Sequence, residues 1–280
     1  MMAVVAPDFV IGDIEVTRVV EFEVAAPAER PPPAWLVDGG FTDDSGSVLV
    51  ASTALVMRAG GRLVVVDPWL VFDGDPEDVH SLALRADTIL AALGDAGVRP
   101  EDVDVVVNTH VDGVGLNVRP TPDGAGMVAT FPRARYVFSS TELGLSAADE
   151  RLDPLRRAGV IDPVDPPAEV APGVTLEDAP GHRPGHLAVR LRSRGAEALV
   201  PGHLVISPVQ VADPTIALDE DPGGATATRR EVLADLADRG GVLIASLVGG
   251  PGGGRVATDG DTWRLEPAAR TPTRGAGPSA

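Results

Sequence analysis

The chain contains 280 residues, of which 44% are hydrophobic, and it carries a formal net charge of -18 and no cysteine. This length and this apolar fraction are enough for one large domain with a sizeable core. The negative charge argues against nucleic acid or an anionic membrane as a partner, because no basic stripe offsets the repulsion from phosphate groups. The lack of cysteine excludes disulfides, thiolate metal sites and a cysteine nucleophile, so histidine and carboxylate side chains are the candidate ligands.

The first residues, MMAVVAPDFVIGD, lack the basic flank and the long apolar core of a secretion signal. The sequence also contains no run of 18 apolar residues, so we expect a cytoplasmic protein. Residues 1–267 are predicted to form a single domain. Residues 268–280 are rich in Pro, Gly, Ala and Arg without periodicity, which predicts a disordered tail.

Hydrophobic periodicity predicts the elements of the first half of the chain. Apolar alternation at 13–24 and 47–57 and the compact run at 62–67 predict three strands, with a loop through 31–46. Apolar residues from Leu82 to Leu93 fall at helical spacing, and Gly94 or Gly97 ends this helix. The Val run at 102–107 is typical of a strand that is buried on both faces.

The second half continues the same alternation of elements. Strands are predicted at 135–139, 174–179, 187–193, 197–202 and 242–246, and a helix at 227–241. Two similar β-rich halves that meet near residue 170 are compatible with this order. The pattern predicts an α/β fold with mixed sheets and helices outside them, in which the loops at strand ends carry any functional site.

The five histidines of the sequence supply the most informative chemistry. They are His80, His110, His182, His186 and His203. Three of them, His110, His182 and His203, lie in polar turns that follow predicted strands. Strand tips that converge at one edge of a sheet can bring distant residues into one pocket, so we expect these three rings to meet.

Several stretches together resemble the metallo-β-lactamase superfamily and, within it, the lactonase-like hydrolases. The resemblance runs from about Ile11 to Pro267 and implies a four-layer αβ/βα sandwich, with two mixed β-sheets packed face to face and helices outside. It is carried by GRLVVVDPWL, VRPEDVDVVVNTHVDGVGLN, FPRARYVFSSTE, APGVTLEDAPGHRPGH, ALVPGHLVISPVQVADP, ATRREVLADLADRG and GRVATDGDTWRLEP.

The metal-binding motif of this family is degenerate in the present sequence. Family members carry H-x-H-x-D-H after the strand that corresponds to 102–107. Without a gap, Asn108, His110, Asp112 and Gly113 take the four ligand positions. If the strand is aligned instead, His110 takes the first position, and Asp112 and Gly113 take the last two. Under either alignment two histidine ligands are missing.

The other ligand positions that the resemblance implies have also changed. His182 matches the liganding histidine of a P-G-H-x-x-G-H turn, and His186 matches the second histidine, which is not a ligand in the family. His203 stands where the family has a bridging aspartate, and Leu247 or a neighbour stands where the last histidine belongs. Three histidines remain for five places, so the resemblance implies one zinc ion or none rather than a dinuclear site.

One hypothesis is an enzyme with a single metal. His110, His182 and His203 would hold one zinc ion, and Asp112 would be a fourth ligand or would orient one of the rings. Such an ion activates water for attack on a lactone, an ester or a thioester.

The alternative enzyme needs no metal. A neutral histidine beside a carboxylate can act as an acid or base near neutral pH, which suits a cyclase or an isomerase. Arg183 would bind a carboxylate or enolate oxygen of the substrate, and Asn108 would donate a hydrogen bond. Some relatives in the family act in polyketide cyclisation or thioester release, so the resemblance is compatible with secondary metabolism.

A third hypothesis is a relative without catalytic activity, which binds a small molecule or a protein through the pocket that corresponds to the family's metal site. In that case His110 and His182 remain as hydrogen-bonded loop residues. We expect a small-molecule substrate, allow for a homodimer, and expect His186 to tie its turn to the sheet. Asp67, which ends the predicted strand at 62–67, is expected to support the loop that carries His110.

Overall fold

The computed structural model describes residues 6–28, 31–68, 79–111, 115–216 and 218–268, with only the backbone described for 79–85. The first half contains, in chain order, β1 (Phe9–Ile11), β2 (Ile14–Ala26), α1 (Ala34–Asp38), β3 (Val48–Ala59), β4 (Arg62–Val66), α2 (Val79–Asp95), β5 (Val105–Val107), β6 (Val118–Pro120), β7 (Met127–Ala129), β8 (Arg135–Ser139), α3 (Ser140–Leu145), α4 (Asp153–Ala158) and β9 (Ile161–Val164).

Three residues separate β9 from the second half. It contains β10 (Ala168–Ala171), β11 (Val174–Asp178), β12 (Leu187–Ser193), β13 (Ala196–Val200), α5 (Val209–Ala212), α6 (Pro222–Arg239), β14 (Val242–Ile244), β15 (Gly253–Asp259) and β16 (Thr262–Glu266).

Each half forms its own large sheet within the described residues. The first sheet has the strand order β1-β2-β3-β4-β5-β8-β9, and the second runs from β10 to β16 in sequence order. Strands β4, β5, β8 and β9 are parallel, as are β13 and β14, whereas the other neighbouring pairs in these two sheets are antiparallel. The division between the halves lies close to residue 170, a position with which the order of predicted elements was compatible.

Alternating side chains assign the two faces of each sheet to different cores. In β5, Val105 and Val107 pack into a core between the sheets, whereas Val106 faces the opposite way, toward the core under α2. The second sheet repeats the pattern, because Ala198 and Val200 of β13 face the first sheet and Leu199 faces α6. The predicted burial of the Val run on both faces is thus confirmed.

Three hydrophobic cores separate four layers. One core lies between the sheets, one between the first sheet and helices α2 and α4, and one between the second sheet and helices α1 and α6. The predicted four-layer αβ/βα sandwich is confirmed. Within the described residues, no helix is long and apolar enough to span a bilayer.

The structure corrects several predicted boundaries. The expected loop at 31–46 contains the short helix α1, and the strand expected at 102–107 is confined to Val105–Val107 because a 3-10 turn occupies Pro100–Asp102. Helix α6 begins at Pro222, five residues before the predicted start, because Asp221 caps it by accepting a hydrogen bond from the Gly224 amide. The predicted tail beyond residue 268 and the site candidate Asp112 lie outside the described residues.

Candidate functional site

Three histidines that follow separate strands in the sequence lie together at one edge of the sandwich. His110 follows β5, His182 lies in the turn between β11 and β12, and His203 lies in the turn after β13. One ring nitrogen from each lies within 4.8 Å of the others. The His110 ring centroid lies 4.3 Å from that of His203 and 5.0 Å from that of His182. A hydrogen bond of 2.7 Å from the Leu187 amide to the Thr109 carbonyl joins the two sheets at this edge.

A chain of hydrogen bonds fixes the ring of His110. Asp67 accepts 2.8 Å hydrogen bonds from both the amide and the hydroxyl of Thr109. Because this hydroxyl donates its only proton to Asp67, it accepts from Nδ1–H of His110 at 2.9 Å. Nε2 of His110 then carries a lone pair and accepts from Nδ1–H of His203 at 3.0 Å. These contacts give Asp67 the supporting role that the sequence analysis expected.

Burial keeps His110, His186 and His203 uncharged. Desolvation, followed by the neighbouring imidazoles, holds the pKa of His110 well below its usual value of 6.5. Burial and the nearby His182 lower the pKa of His203 to about 3. Burial likewise holds the pKa of His186 far below its usual range. Three of the imidazoles at this edge are therefore neutral near pH 7, which is the protonation state that a metal ligand needs.

His182 has a carboxylate partner of its own. Its Nδ1 lies 3.2 Å from Oδ1 of Asp219, whose side chain is only 2% exposed. The other oxygen of Asp219 accepts a 2.8 Å hydrogen bond from the buried guanidinium of Arg229. Since a carboxylate only accepts hydrogen bonds, Nδ1 of His182 carries a proton, and in the neutral ring the lone pair lies on Nε2.

His186 ties its turn to the protein rather than serving the cluster. Its Nδ1–H donates to the Ala179 carbonyl at 3.0 Å, and its Nε2 accepts from the His203 amide at 3.2 Å. Both ring nitrogens therefore have structural partners, and His186 cannot act as a ligand without breaking one of these bonds. This is the tying role that the sequence analysis expected.

Arg183 lies beside the cluster but is paired with carboxylates. Its Nε donates to Glu142 at 3.3 Å, and its NH1 group lies 3.2 Å from Glu220. The Glu142 side chain is 1% exposed and also accepts a 3.3 Å hydrogen bond from the Val111 amide. Burial raises the pKa of Glu142, although Arg183 opposes that shift. Binding of a substrate oxygen by Arg183, as the sequence analysis suggested, would therefore compete with two carboxylates.

Asn108 is directed toward a different neighbour. Its Oδ1 accepts a 2.7 Å hydrogen bond from Asn117, and both amide groups are buried. Within the described part of the chain, the amide nitrogen of Asn108 has no hydrogen-bond partner. Asn108 thus has a donor that could serve a ligand, but its observed contact does not involve the histidine cluster.

Three residues near the cluster were not predicted from the sequence: Asp219, Glu142 and Arg229. Asp219 lies in the acidic run DED, where nothing distinguishes one carboxylate from its neighbours. Glu142 follows Ser139 by three residues, a spacing typical of a helix cap. The burial of Arg229 could have been predicted from its position, because it lies four residues after Ala225 and four before Leu233 on the apolar face of α6.

The donor set fits one metal ion. One nitrogen from each ring lies within 4.8 Å of the other two, a limit that includes the separation of roughly 3.4 Å between two nitrogens on one tetrahedral zinc ion. Zinc bound to Nε2 of His110 would replace the hydrogen bond that this nitrogen accepts from His203. The hydrogen bonds that His110 donates to the Thr109 hydroxyl and that His182 donates to Asp219 are of the kind that orient imidazole ligands. His110, His182 and His203 are therefore the residues that could hold zinc.

Known structures with the same architecture were found by comparison. No family model and no curated protein matches the sequence. The hydrolase AbOPH of the beta lactamase superfamily superposes with a TM-score of 0.72 at 21% identity, covering 94% of this chain and 97% of that chain. AidC, a dizinc quorum-quenching lactonase in complex with the product N-hexanoyl-L-homoserine, gives a TM-score of 0.71 at 19% identity, with coverage of 94% and 97%.

A probable metal-dependent hydrolase from Staphylococcus aureus gives a TM-score of 0.67 at 16% identity, covering 93% of this chain and 99% of that chain. All three superpositions extend over nearly the whole of both chains. The present chain therefore has the αβ/βα sandwich fold of the metallo-β-lactamase superfamily hydrolases and lactonases.

Proposed function

We propose that this protein is a hydrolase that uses one zinc ion, held by His110, His182 and His203, to cleave a lactone, an ester or a thioester of a small molecule. The observation that carries the proposal is the convergence of these three imidazoles, from three separate turns, within 4.8 Å. Zinc in catalytic sites is commonly held by three protein ligands, and the remaining position is occupied by water or substrate.

The supply of histidine supports one ion rather than two. The sequence contains five histidines, and His186 is committed through both ring nitrogens. The lactonase AidC is described as a dizinc enzyme. We infer that this chain retains a mononuclear version of such a site, in which His203 contributes a neutral nitrogen.

The chain's own residues would prepare the site in three ways. Asp67 and Thr109 hold the ring of His110, and Asp219 holds the ring of His182, so little ordering remains to be done when a ligand binds. Burial of His110 and His203 excludes water from one side of the cluster. A bound zinc ion would lower the pKa of its water and polarise the substrate carbonyl.

A lactone is the first substrate class to test. Two structural neighbours, AidC and an N-acyl homoserine lactone lactonase, are described as quorum-quenching enzymes that act on such compounds. Esters and thioesters present the same electrophilic carbonyl and belong in the same panel. The test is hydrolysis of a panel of lactones, aryl esters and acyl thioesters by protein prepared with zinc and after chelation.

We expect hydrolysis with zinc and its loss on chelation. His182→Ala should reduce activity by a factor on the order of 100 or more while leaving the circular dichroism spectrum unchanged. Asp221→Asn is the matched control, because Asp221 caps α6 and asparagine caps a helix equally well. Zinc-dependent hydrolysis that His182→Ala leaves unchanged would refute the site.

One observation favours a second candidate, a cyclase or isomerase that uses acid–base chemistry without metal. His182 is paired with the buried carboxylate of Asp219, and its side chain is 14% exposed, so a substrate can reach it. Activity that persists in chelator and requires both His182 and Asp219 would support this candidate. Tight binding of a small molecule without turnover would support the non-catalytic relative.

A further inference from the structure

We propose that Arg229 is a positioning residue that locks the His182 turn and the His203 turn into one arrangement. It acts on His182 through Asp219, and on His203 through the carbonyl of Leu204. The proposal rests on the proposed function only where it concerns zinc affinity, because the structural effects of Arg229 precede any metal.

The burial of Arg229 requires a dense set of acceptors. The side chain is 0% exposed although it lies on a helix at the outside of the sandwich. Its Nε donates to Leu204 O at 2.6 Å, and one terminal nitrogen donates to Pro214 O at 2.6 Å and Ile216 O at 3.2 Å. A buried guanidinium is stable only when its donors are satisfied, so these carbonyls and Asp219 are held in fixed positions around it.

Arg229 acts as a clamp with two arms. The first arm is its hydrogen bond to the Leu204 carbonyl, which reaches the His203 turn. Leu204, whose carbonyl accepts from Arg229, directly follows His203 in the 3-10 turn Gly202–Leu204. The same turn is fixed from the other side by the hydrogen bond from the His203 amide to Nε2 of His186. The backbone on both sides of His203 is therefore anchored, which sets the direction of its ring toward His110.

The second arm reaches the His182 turn. Arg229 donates to Asp219 Oδ2 at 2.8 Å, and Asp219 Oδ1 lies 3.2 Å from Nδ1 of His182. The guanidinium compensates the charge of a carboxylate whose side chain is 2% exposed. In the neutral ring this keeps the proton of His182 on Nδ1 and leaves the lone pair on Nε2.

Helix α6 docks on the same turn at two further points. The Thr228 hydroxyl donates to the Pro180 carbonyl at 2.8 Å, and Gly181 packs so closely on Ala225 that any side chain at 181 would collide with it. Residues 220 and 221 also pair through their amides with the carbonyls of His182 and Gly181. Arg229 thus contacts the His203 turn directly through the Leu204 carbonyl, and it reaches the His182 turn through Asp219.

The experiment records the tautomer of His182 by nitrogen NMR on metal-free protein labelled at histidine. In the wild type, Nδ1 should be protonated and Nε2 should carry the lone pair. In Asp219→Asn, the single amide oxygen should turn toward the charged Arg229 and the NH2 group toward His182. His182 should therefore switch to the Nε2–H tautomer, and zinc affinity should fall about 10- to 100-fold.

Arg229→Lys tests the other arm, because lysine keeps the charge but cannot serve all four acceptors at once. Loss of the bond to Leu204 should speed hydrogen exchange at the His203 amide on the order of tenfold. Asp219→Asn should leave that exchange unchanged. Asp221→Asn, which removes the same charge two residues away, should alter neither the tautomer nor the exchange rate.

An unchanged His182 tautomer in Asp219→Asn, or an unchanged His203 exchange rate in Arg229→Lys, would overturn the proposal. If Arg229→Lys does not fold, the tautomer in Asp219→Asn still decides whether the second arm exists. If the wild type binds no zinc, the proposed function fails but the two NMR measurements stand. Unaltered zinc affinity together with an inverted tautomer would overturn the link between the clamp and the metal site.

Discussion

His203 contacts two other imidazoles at once. Its Nδ1 lies 3.0 Å from Nε2 of His110, and its amide lies 3.2 Å from Nε2 of His186. Cationic imidazoles this close together would repel each other and would lose the hydrogen bonds that their lone pairs accept. Folding therefore selects the neutral forms, and this selection prepares the nitrogens to bind a metal.

This selection predicts that acid destabilises the metal-free protein. The pKa values of His110, His186 and His203 are lowered in the folded state, so at pH below about 6.5 the unfolded chain binds protons that the folded chain does not. The stabilising contribution is fully present above pH 6.5 and is lost as the pH falls. Below pH 6.5, each of these histidines lowers the free energy of unfolding by about 1.4 kcal/mol for each pH unit of acidification.

The measurement is urea unfolding between pH 7.5 and pH 5.5 with a chelator present. The raised pKa of Glu142 contributes the opposite slope above pH 4.5, because the folded state then binds the extra proton. Comparison with His203→Gln removes this complication, since both proteins contain Glu142. The free energy of unfolding of the variant should depend on pH less steeply than that of the wild type, by about 1.4 kcal/mol per pH unit. An equal slope in both proteins would show that His203 is not held neutral by the fold.

At the scale of elements, the turn after β13 illustrates how a small residue shapes the site. Gly202 has a φ of 55°, and a Cβ there would lie 2.6 Å from Nε2 of His186 and 2.7 Å from the hydroxyl of Thr109. The turn thus needs glycine both for its backbone conformation and for the close approach of the imidazole.

We predict that Gly202→Ala is more destabilising than Gly240→Ala. Gly240 ends α6 with a φ of 65° and has nothing within 4 Å of the position that a Cβ would occupy. Both variants introduce backbone strain, but only Gly202→Ala also forces His186 or Thr109 to move, at an additional cost of about 1–3 kcal/mol. Urea unfolding of the two variants checks the difference. Equal losses of stability would mean that the turn tolerates the shift.

Elements with strong alternation were predictable because packing between layers requires it. Strands β8 and β12 have the predicted ends, and the Val run of β5 was correctly expected to be buried on both faces. Short elements such as β6 and β7 carry three residues each, too few to show a period. The start of α6 was misplaced because its first turn, Pro-Gly-Gly, has low helix propensity and depends on the Asp221 cap.

At the scale of the whole molecule, the site exists because two sheets bring their tips to one edge. The sequence showed histidine-bearing turns after separate strands, and the family resemblance placed them in one pocket. It did not show that Asp219 pairs with His182, or that Arg229 joins the His182 and His203 turns, because those contacts depend on how α6 docks. Local patterns thus predicted the candidate ligands, whereas the groups that orient them required the tertiary structure.

The proposal that three histidines hold a single zinc ion is tested by counting the zinc ions bound per chain. The protein is loaded with excess zinc and dialysed, and its metal content is measured by mass spectrometry against protein concentration for the wild type and for His203→Ala. We expect about one zinc per wild-type chain and a substoichiometric amount in the variant. Two zinc ions per wild-type chain, no bound zinc, or full retention of zinc by His203→Ala would contradict the proposal.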